Sequence, residues 1–393
     1  MSRTRSRNSQ SWLRSAQRSA HPSRLSNGRR RFLQLSGATL AGTLLSNCAR
    51  NMGNTASSPT SPTTQGTPAG RGTLHIYAWS TYVDNQDILK EFESKTGIRV
   101  IADVYDSNET MLAKMQAGGG SQYSVIYPSD YMVEQMIELG MLSELDYSRL
   151  PSLSDLYPQW QSPPYDPGNK HSYPFVWGTT GIVYNREALG ELTDWEFLWE
   201  NKNKLSGRLT LLNDVREVMG MALKSLGYSN STKNPQEIEA AYKKLAELKP
   251  AISSFSTDGW RDQMVVGDLL ASHAYSVDGI DVETANPDLK YVIPKSGATV
   301  WTDTMVIPKT APNVDAAYQW MDYMLAPATA SRTFGKLKLA TPNQKTKALL
   351  PTELKNNPAL FPPDEVLEKC EVLANVGSAI DIYDRFWTQL TSG

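Results

Sequence analysis

At 393 residues the chain is long enough for two domains with a sizeable core. Its formal charge of −2 hides an asymmetry. Residues 1–48 carry nine Arg and no acid, which leaves 30 Lys and Arg against 41 Asp and Glu, or −11, on the remainder. So acidic a body disfavours nucleic acid and draws cations. Two cysteines, Cys48 and Cys370, are too few for a disulfide framework or a Cys-based zinc site. The four histidines, His21, His75, His171 and His273, lack metal-ligand spacing, so neither a metal nor a cofactor is expected.

Residues 1–48 read as an export signal. Arg29, Arg30, Arg31, Phe32, Leu33 and Gln34 resemble a twin-arginine motif, and the apolar run that follows, Leu35 to Leu45, is too short to span a bilayer. Leu44, Leu45, Ser46, Asn47 and Cys48 resemble a lipoprotein box, although Asn47 departs from the small residue usual there. Two outcomes stand: Cys48 is lipidated and anchors the mature chain to a membrane, or the signal is cleaved nearby and the product is free. Residues 49–72, rich in Ser, Thr, Pro, Gly and Asn without apolar periodicity, read as a flexible tether.

The folded body begins at Thr73. Residues 74–78 read as a strand, Trp79 to Tyr82 as a loop, and 87–96 as a helix with Ile88, Leu89 and Phe92 on one face and Gly97 beyond its end. A strand at 98–104, a helix at 109–117 and a strand at 124–127 follow, closed by the loop Pro128 to Tyr131. The run Gly118, Gly119, Gly120 has neither dinucleotide nor P-loop spacing and reads as a helix stop. Strands alternating with helices predict a parallel α/β sheet, whose ligands lie beyond the carboxyl ends of the strands. Trp79 to Tyr82 and Ser129 to Tyr131 both fall at such ends.

Residues 150–175 are rich in Pro, Tyr and Trp and read as loop, then 178–185 as a strand and 195–200 as a short helix. A second α/β series follows: strand 208–212, helices 215–226 and 235–248, strand 271–276, and Tyr291 to Pro308 as two short strands around a Lys295, Ser296, Gly297 turn. Helices at 314–325 and 378–390 close the body.

Two sets of residues stand out. Trp301 and Asp303 are two apart on a strand and share a face. An indole beside a carboxylate suits a cation with an apolar chain, adding cation–π attraction of about 0.5–2 kcal/mol. The plainer alternative puts Trp301 in the core and Asp303 at a turn. Asp214 and Glu217 stand where a strand gives way to a helix, either as a capping arrangement or as two carboxylates facing a ligand. Paired acids also raise a hydrolase reading, but nothing indicates the split acidities a glycosidase needs, and no nucleophile motif is present. An enzyme is not expected.

Several spaced segments, in one order, resemble the spermidine/putrescine-binding periplasmic proteins of polyamine ABC transporters. They are Tyr77 to Val83, Glu91 to Gly97, Tyr105 to Met111, Pro174 to Thr179, Asn213 to Glu217, Glu237 to Tyr242, Trp301 to Asp303 and Ala340 to Asn343, spanning most of Leu74 to Leu390. The resemblance implies a two-lobed α/β periplasmic-binding-protein fold (type II), each lobe a mixed sheet flanked by helices. Residues 73–180 with 303–347 form lobe 1, and 181–302 with 348–393 form lobe 2. A polyamine is held between them and passed to a membrane permease, with the protein acting as a monomer. Position by position it implies Trp79, Ser80, Tyr82, Ser129 and Tyr131 on the first lobe's side of the cleft. Asp214 and Glu217 are implied as carboxylates for amine groups, and Trp301 and Asp303 as an aromatic wall with its acid. Tyr275 falls where the family often has Trp and keeps a π face. Three positions depart from the pattern: Thr81 replaces a Glu, Leu339 a Tyr and Leu373 a Gln, which leaves the choice among polyamines open.

Overall fold

A computed structural model describes residues 72–83 and 86–392. The export signal, Cys48 and all but the last residue of the tether lie outside the described residues. Nine strands form one connected sheet: β1 (Thr73–Ala78), β2 (Arg99–Val104), β3 (Val125–Ile126), β4 (Ser172–Asn185), β5 (Leu209–Leu211), β6 (Ile252–Phe255), β7 (Ala271–Tyr275), β8 (Leu289–Val292) and β9 (Val300–Val306). The order is β2-β1-β3-β9-β4-β7-β5-β6, with β8 also paired to β4. β1 runs parallel to β2 and β3, and β5 parallel to β6 and β7, as alternating strands and helices predict. β9 and β4 are the antiparallel joints.

β4 is the spine of the molecule. Its first part, Ser172 to Thr179, pairs with β9, and from Thr180 it pairs with β7. One strand thus links the two halves of the sheet and changes partner between two adjacent residues. It is buried along almost its whole length, so two apolar runs, Tyr173 to Trp177 and Ile182 to Tyr184, flank the buried Gly178, Thr179, Thr180 and Gly181, without an alternation of buried and exposed positions. The strand begins six residues before the predicted Gly178; it runs through Pro174, which sits at a register shift, where a strand tolerates a residue lacking an N–H.

The stretch Tyr291 to Pro308 is not a hairpin. β8 and β9 lie in line along one edge of β4, and residues 293–299 loop out between them. Gly297 (φ +95) makes the loop passable, since a Cβ there would overlap the Lys369 carbonyl. Reciprocal bonds from Val300 N to Glu371 O and from Glu371 N to Ala298 O, both 2.9 Å, fasten residues 370–373 beside the start of β9.

Other differences are local. Trp79 to Tyr82 is not all loop, since Ser80–Val83 forms one helical turn, and Ser129 is the N-cap of a helix, Asp130–Glu138. Two helices, Ser276–Ala285 and Pro327–Leu337, escape the sequence pattern. The helices Pro235–Leu248 and Val314–Leu325 stand at their predicted bounds, each with an Asn N-cap. The core is anchored by buried indoles whose N–H groups are satisfied: Trp195 donates to Gly297 O (2.8 Å) and Trp320 to the Tyr127 hydroxyl (2.7 Å).

Candidate ligand cleft

The carboxyl ends of β1, β3, β5 and β7 point their following residues into one cleft, and β9 crosses its floor. All ten residues singled out in the sequence line it: Trp79, Ser80, Tyr82, Ser129, Tyr131, Asp214, Glu217, Tyr275, Trp301 and Asp303. Thr81 and Leu373 line it too. Leu339 does not: it is buried in the core after the helix Pro327–Leu337, with its N–H on Phe334 O, so its apolar side chain does not set the polarity of the cleft.

Trp301 and Asp303 face the cleft together, as strand geometry requires. Gly178, opposite Trp301 in the β4–β9 ladder, leaves room for the indole, because a Cβ there would overlap its ring and come within 2.6 Å of Ser276 Oγ. Tyr275 lies between two indoles, its centroid 6.4 Å from Trp79 and 5.8 Å from Trp301 in edge-on arrangements. Three aromatic rings therefore border a space in which a polymethylene chain can be covered and an ammonium can face a π surface.

The acids are deep. Asp303 accepts from Tyr82 OH (2.5 Å) and Ser129 Oγ (2.6 Å), and Ser129 is itself held by Asn108 through Nδ2 (3.0 Å) and Oδ1 (3.2 Å). Burial raises the Asp303 carboxyl to about 6, with the Ser129 and Tyr82 hydrogen bonds pulling the other way. Asp214 caps the helix Val215–Ser225, accepting from Arg216 N (2.9 Å) and Glu217 N (3.1 Å). It is at once a cap and a cleft residue, so the two readings of Asp214 do not compete. Burial raises its carboxyl, and burial followed by the Asp214 charge lifts Glu217 to about 8.

Among the described residues none of Asp214, Glu217 and Asp303 forms an ion pair with Lys or Arg. Arg216 is buried near Asp214, and its charge partly offsets the effect of burial there without forming an ion pair; its guanidinium lies 5.5 Å from the Tyr131 ring and 5.2 Å from the Tyr383 ring and is bonded to Ala374 O at 3.1 Å, so Glu217 and Asp303 are the acids left without a cation. Buried carboxylates lacking a counter-ion hold on to their protons, and an entering cation would reverse that preference.

Sequence reasoning missed other lining residues: Tyr105, Asn108, Asp130, Thr257, Asp258, Arg261 and Asp278. Asp130 spends its oxygens on the backbone N–H groups of Tyr131 (2.8 Å) and Thr302 (3.2 Å). Burial pushes it to about 8 and Asp278 to about 7. The two sides of the cleft touch through Ser80 Oγ to Asp258 (3.0 Å), Asn213 Nδ2 to Asp106 (3.0 Å) and Thr257 Oγ1 to Asp106 O (3.2 Å). Among the described residues no group of three or more His, Cys, Asp and Glu is placed to hold a metal.

A two-lobed sheet joined by shared strands, with an acid- and aromatic-lined cleft at the strand ends, defines a solute-binding protein. The model of the bacterial extracellular solute-binding protein family matches residues 87–362, and the chain belongs to that family. It is 37% identical over 331 residues to spermidine/putrescine-binding periplasmic protein 1 of Haemophilus influenzae, covering 84% of this chain and 91% of that protein. Among solved structures it is similar to the spermidine/putrescine ABC transporter substrate-binding protein PotD of Streptococcus pneumoniae (TM-score 0.68, 34% identity, 82% and 99% coverage). It is also similar to the TpPotD lipoprotein of Treponema pallidum (TM-score 0.72, 27% identity, 82% and 100% coverage).

Proposed function

We propose that this protein captures a polyamine, spermidine or putrescine, between its lobes and delivers it to the membrane permease of an ABC transporter. The observation that carries the reading is the set of three buried carboxylates, Asp214, Glu217 and Asp303, without ion-pair partners beside the Trp79, Tyr275 and Trp301 rings. Primary amines ionise near 10.4, so a polyamine is a polycation at neutral pH and supplies the missing counter-charges. Its methylenes meet the aromatic faces. The named relatives support the same ligand class.

In this reading Trp301 and Tyr275 cover the chain, Asp303 anchors one ammonium with its oxygens oriented by Tyr82 and Ser129, and Asp214 with Glu217 receives another. Trp79, Ser80 and Tyr131 complete the first lobe's wall. The lobes divide at 73–180 with 303–347 and 181–302 with 348–393, and closing them buries the ligand. The twin-arginine-type signal supports export to the periplasm. The box ending in Cys48, together with the tether of residues 49–72, supports a membrane anchor that keeps the body close to its permease, and the family resemblance implies that it acts as a monomer. Binding, and not turnover, is the activity.

A thermal-shift screen over polyamines, sugars and amino acids tests the reading. Stabilisation by spermidine or putrescine alone is expected. Stabilisation only by another solute would replace polyamine with that solute, and turnover of glycosides abolished by Glu217→Gln would restore the hydrolase.

A further inference from the structure

A further acid, Glu109, stands beside the cleft without lining it. It belongs to the first turn of the helix Asn108–Lys114, whose N-cap is Ser107. Its Oε1 accepts from Tyr131 OH at 3.0 Å, while its Oε2 is buried without a hydrogen-bond partner. Arg216, from the other half of the sheet, lies 5.5 Å from the same Tyr131 ring, and its Nε is also buried without a partner. The two halves meet close by, where Asn213 Nδ2 donates to Asp106 Oδ2 at 3.0 Å and Thr257 Oγ1 to Asp106 O at 3.2 Å. Asp214 directly follows Asn213, and Glu109 comes one helical turn after Asp106. Glu109, Tyr131, Asp214 and Arg216 thus form one corner at the junction of the halves.

The charges in this corner do not balance. Asp214 and Arg216 by themselves sum to zero, and Arg216 already offsets part of the burial effect at Asp214. Glu109 adds a second carboxylate against that single guanidinium, so with both acids ionised the corner carries one net negative charge. Glu217, on which Asp214 also acts, adds to the deficit. Burial, followed by the Asp214 charge, lifts Glu109 to about 7, against the Tyr131 hydrogen bond and the more weakly felt charge of Arg216. An ammonium at Asp214 would supply the cation that Glu109 lacks, because a buried charge acts over several ångströms. We propose that Glu109 is a positioning residue for the ligand, which acts through Tyr131 and Asp214 and keeps the Asp214 corner negative against the charge of Arg216. The inference rests on the polyamine reading above and extends it to a residue outside the cleft lining.

Calorimetry at pH 7, in two buffers of different ionisation heat, with whichever of spermidine and putrescine the wild type binds more tightly, provides the test. Glu109→Gln keeps an acceptor for the Tyr131 hydroxyl and removes the charge. It should weaken binding by about tenfold or more and lower the number of protons released, since Glu109 sheds its proton as the ammonium arrives. Glu109→Asp, which keeps the charge, should stay within about threefold of the wild type. Unchanged affinity in Glu109→Gln, a loss with the wild-type proton release, or an equal loss in Glu109→Asp overturns the role given to Glu109 and leaves the polyamine reading standing. Should Glu109→Gln not fold, as judged by circular dichroism, Glu109→Met, also neutral, takes its place. Failure of both neutral variants to fold would mark a structural acid and likewise overturn the role. If the wild type binds neither amine, both readings fail together.

Discussion

Replacing Asp303 with Asn separates the cost of this carboxylate to the empty protein from its use to the ligand. In the folded, ligand-free state the group titrates at about 6 against an ordinary 3.8, because burial disfavours its charge. The folded protein therefore holds the proton more tightly than the unfolded chain does. The group costs nothing below pH 3.8; the penalty grows as pH rises to 6 and is complete above it. At 1.36 kcal/mol per pH unit, the difference of about two units amounts to roughly 3 kcal/mol. Asn matches the protonated acid in shape and can still bond to the Tyr82 and Ser129 hydroxyls, which are free to rotate. Asp303→Asn should thus stabilise the empty protein at pH 8 by up to about 3 kcal/mol and barely alter it at pH 4. At the same time it should weaken polyamine binding by about thirtyfold or more, the loss expected when one partner of a buried charge pair is removed. Denaturant melts at the two pH values and calorimetry at pH 8 measure both effects. A variant less stable at pH 8 with unchanged affinity would refute the argument, since Asp303 would then be a structural acid.

Polyamine affinity should fall as pH drops from 8 towards 5, because Glu217 (about 8) and Asp303 (about 6) take up protons there, and calorimetry in buffers of different ionisation heat should record proton release on binding. Asp214→Asn should keep the helix start, Asn being an equal N-cap, and still weaken binding at least about tenfold; unfolding on this change would count against a ligand role. Gly178→Ala should displace the Trp301 indole and cost about 1–3 kcal/mol of stability, together with a loss of ligand-induced shift in melting temperature. Trp301→Ala should lower affinity without unfolding the chain, as followed by circular dichroism and titration.

The sequence was readable where local and tertiary signals agreed. Asn234 followed by Pro235 and an apolar stripe set the helix Pro235–Leu248 without ambiguity. The ten cleft residues converge because each sits at a strand end or on a strand face, and topology rather than distance along the chain brings strand ends together. The helix Ser276–Ala285 was hidden for a physical reason: it is buried around much of its circumference and carries Gly279 against the Tyr291 ring, so it shows no apolar stripe. With that helix went Asp278, and with the six-residue helix Trp260–Val265 before β7 went Arg261 and the neighbouring Asp258. Such charges look like ordinary surface until the fold turns them inward. Leu339 illustrates the converse, a position expected in the cleft that the end of the preceding helix carries into the core.

The change of partner along β4 bears on how the chain is made. β1, β2 and β3 emerge early in synthesis, yet the free edge of β3 is covered only by β9, through Ile126 and Val306, near the last quarter of the chain. β4 likewise waits for β9 along its first half. The β2-β1-β3 part of the sheet therefore keeps an open edge on β3 until β9 has been translated. A chain cut before Val300 would lack the strand that covers β3 and is expected to aggregate through that edge.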